Sequence, residues 1–123
     1  MIPEWYRYLS ERYSEFKSLK RDWDSYESDR PNKMTMANIL LTMSDCKFKE
    51  FDHIFTTHMS NGGIYLQLNN GDREIMAEFD DADSVLASCL WATGENAKAY
   101  RVPFKYAWPM MVAWLMSERK NAN

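Results

Sequence analysis

At 123 residues, 46% apolar and 27% charged, the chain has the size and balance of one globular domain able to bury a core without staples. A net charge of −3 leaves no basic footprint for a DNA or RNA backbone. Cys46 and Cys89 form no CxxC and sit near no paired-histidine spacing, which excludes a disulfide framework and suits reduced thiols.

The elements follow in chain order. "MIPEWYRYLSERY" lacks an apolar signal core, and no run approaches membrane-spanning length, so the expected location is the cytoplasm. Residues 4–29 predict one long amphipathic helix, because Trp5, Leu9, Tyr13, Phe16, Leu19, Trp23 and Tyr26 recur at steps of three and four. Pro3 suits its first turn and Pro31 its end. That stripe can pack on its own domain or on a partner helix, and its two or three heptads favour packing within the domain. "NKMTMANILLTMSD" predicts a short second helix with Met36, Ile39, Leu40 and Met43 on one side and Asn32 or Thr35 as its cap.

Three strands of an antiparallel meander come next, at 52–59, 63–68 and 73–79. "SNGG" and "NNGD" are the turns between them, and "IYLQL" alternates as a half-buried strand does. "DDADSVLASCLWATG" then predicts a helix with Val85, Leu86, Cys89, Leu90 and Trp91 on a broad apolar face and Gly94 as its stop. The remainder predicts one or two helices broken near Pro103 or Pro109, the safer piece running from Pro109 to Arg119, since Trp108 before a proline should be extended. The fold class is therefore α+β in a single domain, residues 1–123, with a long N-terminal helix, a three-stranded antiparallel meander and C-terminal helices.

Candidate chemistry is sparse. Gly62–Gly63 leads into a strand-like segment with no GK[ST] behind it, which is wrong for a phosphate loop and right for a turn. His53 and His58 are five apart and diverge on a strand or a helix, so they share no metal without a distant third ligand. Ser60 lacks the nucleophile-elbow pattern, and Cys89 sits among apolar residues that keep a thiol inert. Neither a cofactor nor a metal is expected, and the expected protein is not an enzyme. The high aromatic and methionine content serves a core first and protein-binding surfaces second.

Charge is unevenly placed. Residues 51–100 hold two bases against eight acids, and within them Asp72, Glu74, Glu78, Asp80, Asp81 and Asp83 are relieved only by Arg73. Such a segment repels nucleic acid and attracts a basic protein surface, although helix capping alone would place several of these acids. Asn61, Asp72, Glu74, Asp80, Asp81 and Asp83 are the candidate partner-binding residues.

The run "HIFTTHMSNGGIYLQL", followed by acids and "DADSVLASCLWA", resembles the ArdB/KlcA antirestriction proteins of plasmids and phages over about residues 48–93. The matching positions are Ser60, Asn61, Gly62, Gly63 and Tyr65 in a turn and strand, then Cys89, Leu90, Trp91 and Ala92 in a helix. Asp83, Ser84 and Val85 depart from the small Ala-Ala-Gly run of that family, and the N-terminal helix has no counterpart in it. The resemblance implies an α+β protein without catalysis that blocks a host restriction or other defence complex by protein–protein binding, with no catalytic residues to carry over. The competing readings are a small metal-dependent hydrolase or nuclease using carboxylates near 72–83, and a structural, oligomeric phage protein. No direct nucleic-acid or membrane partner is expected; a homo-oligomer stays open.

Overall fold

The structure is a computed structural model that describes residues 2–19, 31–45, 51–59, 61–79, 86–93 and 96–117. Its elements are α1 (Glu4–Lys17), α2 (Lys33–Ser44), β1 (His53–His58), β2 (Ile64–Asn70), β3 (Arg73–Phe79), β4 (Leu86–Thr93), β5 (Asn96–Pro103) and α3 (Phe104–Met116). The strands pair in sequence order as one antiparallel five-stranded sheet. The chain is thus an α+β fold, and none of its described helices is long and apolar enough to cross a membrane.

Helix α1 keeps the expected stripe as far as it runs, with Trp5, Leu9, Tyr13 and Phe16 buried. These residues pack on the domain's own sheet, and the stripe's first half is core. The single helix over 4–29 is not formed. It stops at Lys17, where the Ser18 hydroxyl donates to the Glu15 carbonyl at 2.6 Å and closes the last turn with a local bond. Trp23 and Tyr26 lie outside the described residues. Helix α2 begins as read from sequence, with the Asn32 side chain accepting from the Thr35 amide at 3.0 Å.

The meander appears at 53–58, 64–70 and 73–79, within two residues of the expected limits, and then continues. The helix expected over the "DADSVLASCLWATG" segment is instead strand β4, whose Ile75–Trp91 and Ala77–Cys89 registers extend the sheet. Leu, Ala and Cys at helical spacing carry only a weak local preference, and ladders on both sides of β4 override it. Residues 96–103, read from sequence as part of a C-terminal helix, form β5.

A single helix, α3, is described after the sheet, and it starts at Phe104 with Pro109 inside it. Trp108 is helical rather than extended. The helix buries Phe104, Ala107, Trp108, Met111, Val112 and Leu115, with Trp108 fully enclosed, and this burial outweighs a penalty of about 3 kcal/mol for an internal proline. Phe104 joins helix to sheet by an edge-on contact with Phe79, ring centroids 4.9 Å apart.

Both turns flanking β2 are tied to helix ends. At the first, Gly62 takes φ +86°, the Asn61 side chain accepts from the Gly63 amide at 2.8 Å, and the Asn32 amide donates to the Gly62 carbonyl at 2.8 Å. The glycine pair is therefore a turn that anchors the start of α2. At the second, Gly71 has φ +63° and donates its amide to the Asp52 carboxylate at 2.7 Å. There Asn70 donates to the Leu115 carbonyl at 3.0 Å, while Arg73 bonds the Trp114 carbonyl and the Ser117 hydroxyl, with its guanidinium 5.2 Å from the Trp114 ring centre. A cation at the carbonyl end of α3 satisfies acceptors that the helix leaves open and complements its dipole.

Candidate functional site

The sheet has two unlike faces. Ile64, Leu66 and Leu68 of β2 and Ile75, Ala77 and Phe79 of β3 are buried against the helices in one core cluster. The alternate positions point away from that cluster. Among the described residues they form three cross-strand rows: His53–Asn69–Glu74, Phe55–Gln67–Met76 and Thr57–Tyr65–Glu78. No described helix covers them; Phe55 is 40% exposed and Glu78 is exposed.

Side chains on this open face hold one another in place. The Tyr65 hydroxyl donates to Gln67 Oε1 at 2.9 Å, and Gln67 Nε2 donates to Asn69 Oδ1 at 3.2 Å and to Glu74 Oε2 at 3.4 Å. Asn69 Nδ2 completes the network with a 2.7 Å bond to the same Glu74 oxygen. The Phe55 and Tyr65 rings meet edge to face at 6.2 Å. Partial burial, then the carboxylates of Glu74 and Glu78, push the Tyr65 phenol above its ordinary value of 10.0.

Beneath the face, Thr56 locks β1 to both neighbours. Its hydroxyl donates to the Tyr65 carbonyl at 2.8 Å, so the 3.1 Å contact with Tyr13 has the Tyr13 hydroxyl as donor. Burial drives the Tyr13 phenol well above the usual range, and the Thr56 bond opposes part of that shift. The Thr56 amide donates to the Tyr8 hydroxyl at 3.3 Å, so α1 covers part of the outer edge of β1.

Of the predicted partner-binding residues, Asn61, Asp72 and Glu74 are described. Asn61 is exposed in the β1–β2 turn with its side-chain oxygen engaged by Gly63, whereas Asp72 is exposed in the β2–β3 turn at the other end of the strands. Of the three described, only Glu74 lies on the open face; Asp80, Asp81 and Asp83 lie outside the described residues. Arg73 does not relieve these acids, since its guanidinium serves α3 on the opposite side. The open-face residues absent from the predicted partner-binding set are Phe55, Tyr65, Gln67, Asn69 and Met76. The alternation of "IYLQLN" carried the signal for three of them.

Among the described residues, no group of three or more His, Cys, Asp or Glu is placed to hold a metal ion. His53 and His58 occupy opposite ends of β1, and the His58 ring packs edge-on against Phe16 at 4.7 Å. Cys46 and Ser60 lie outside the described residues. Comparison with protein-family models, curated proteins and solved structures finds no match. Of the two segments on which the antirestriction resemblance rests, Gly62–Gly63 is a turn and Cys89–Ala92, expected as helix, is part of strand β4.

Proposed function

We propose that this chain is a non-catalytic protein-binding module whose docking surface is the open face of β1–β3. The observation carrying the proposal is the Tyr65–Gln67–Asn69–Glu74 network. These are polar side chains on a face that no described helix covers, bonded to one another before any partner arrives. Preorganised polar groups beside an exposed aromatic pair lower the ordering cost of association, and aromatic anchors are the side chains that dominate interface energies. The partner's class rests on the antirestriction resemblance over about residues 48–93 alone: a restriction or other defence complex of a host bacterium, bound in its cytoplasm and inhibited without any cofactor.

The test is capture from a host lysate with wild-type protein and with Met76→Arg, which places a bulky cation at the centre of the face. Recovery of a defence-complex subunit by the wild type and its loss in Met76→Arg is the expected result. Recovery of no restriction or defence component overturns the assignment. Metal-dependent nuclease or phosphatase turnover that Asp80→Ala or Asp83→Ala abolishes would replace binding with catalysis.

A second observation favours a different reading. Met34 and Leu41 on α2 and Tyr106 and Met110 on α3 are each more than 60% exposed, a set of large apolar side chains on the helical layer. A structural subunit that self-associates through its helices would use them. Light scattering distinguishes the two, since only that reading requires a large homo-oligomer.

A further inference from the structure

We propose that the open face takes an arginine-bearing segment of a partner protein, with one guanidinium held between the Phe55–Tyr65 ring pair and the Glu78 carboxylate and a second at Glu74. The inference rests on the reading of this face as the docking surface and adds the chemistry of its occupant.

Charge complementarity selects that occupant. Glu74 and Glu78 stand four residues apart on one side of β3, a separation of about 13 Å. Neither makes an ion pair with a described residue, and Arg73, the base beside them in sequence, is committed to the end of α3. Burial first, and then both carboxylates, raise the Tyr65 phenol. A nucleic-acid backbone meets repulsion here, and a basic protein segment meets attraction.

Geometry narrows the cation to a guanidinium. Asn69 and Gln67 both donate to Glu74 Oε2, which orients the carboxylate, while no described residue donates to Oε1. Tyr65 is the register partner of Glu78, and Phe55 lies edge-on to Tyr65. A planar guanidinium can stack on the rings and still donate to the carboxylate beside them, which a compact ammonium does poorly.

The experiment uses fluorescein-labelled nonapeptides of Gly, Ser and Thr with arginine at the third and seventh positions, and the same peptides with lysine or glutamine there. Binding to the full chain is read by anisotropy at about 50 mM salt, where exposed charges are weakly screened. The arginine peptide is expected to bind about threefold or more tighter than the lysine peptide. The glutamine peptide should show no binding. Glu74→Gln combined with Glu78→Gln should weaken the arginine peptide by about tenfold. Tyr65→Leu should bring it down to the lysine level, and a melting curve for each variant establishes that it folds.

Equal binding by wild type and the double Gln variant overturns the inference, as does equal binding of arginine and lysine peptides or preference for a single-stranded oligonucleotide. If no peptide binds while Met76→Arg still abolishes partner capture, the guanidinium is wrong and the docking face stands. If Met76→Arg retains capture, both fall.

Discussion

The two sides of strand β2 carry the same backbone and opposite chemistry. Ile64, Leu66 and Leu68 are at most 1% exposed and sit in the core shared with all three helices, whereas Tyr65, Gln67 and Asn69 are half-buried and bond laterally to one another and to Glu74. The first side holds the fold together by removing apolar area from water. The second contributes little to folding, because half-exposed polar bonds largely exchange one set of partners for another. An ordered polar face with little structural duty is the natural place to look for a partner.

Denaturant unfolding of paired variants breaks or sharpens that contrast. Leu66→Ala removes a fully packed side chain and should cost about 3 kcal/mol, whereas its neighbour Gln67→Ala should cost less than about 0.5 kcal/mol. Comparable losses at the two sites would mean that the open face is structural after all.

The next effect lies at the seam between sheet and helices. Arg73→Ala strips the last turn of α3 of its cation and its carbonyl donor, so a loss of about 1 to 2 kcal/mol in urea unfolding is expected, with partner binding unchanged. On the same helix, Pro109 is exposed and interrupts the backbone ladder. Pro109→Ala should therefore raise stability by about 2 kcal/mol, the helix penalty less the entropy regained by the unfolded chain, read as a higher Tm.

The smallest effect is electrostatic. With Tyr65 raised by burial and by Glu74 and Glu78, its proton is held more tightly in the fold than in the unfolded chain. The small stability this contributes is fully present below the unfolded phenol value of 10.0 and is lost as pH rises through the folded one. Following the Tyr65 ring carbons by NMR, Glu74→Gln with Glu78→Gln should move its titration back toward the ordinary value.

Periodicity made much of this legible. The Trp5–Leu9–Tyr13–Phe16 stripe, the Asn32 cap, the two glycine turns and the alternation of "IYLQL" each state their conformation locally, and β1–β3 follow from them. Segment 86–93 did not, because its Leu, Ala and Cys fit a helix as well as a strand until neighbours on both sides supply ladders. Helix α3 runs through Pro109 against the local rule, because burial of Trp108 overrides it. The open face was half legible. Glu74 stood out as an acid, but its meeting with Asn69, Gln67 and Tyr65 depends on strand register, which no single segment encodes.

The most direct measurement is hydroxyl-radical footprinting of the chain alone and with its captured partner. Docking through the open face predicts that Phe55, Tyr65 and Met76 become protected while Met34, Tyr106 and Met110 react as before. Protection of the helical methionines and Tyr106, with Phe55, Tyr65 and Met76 unchanged, would contradict it.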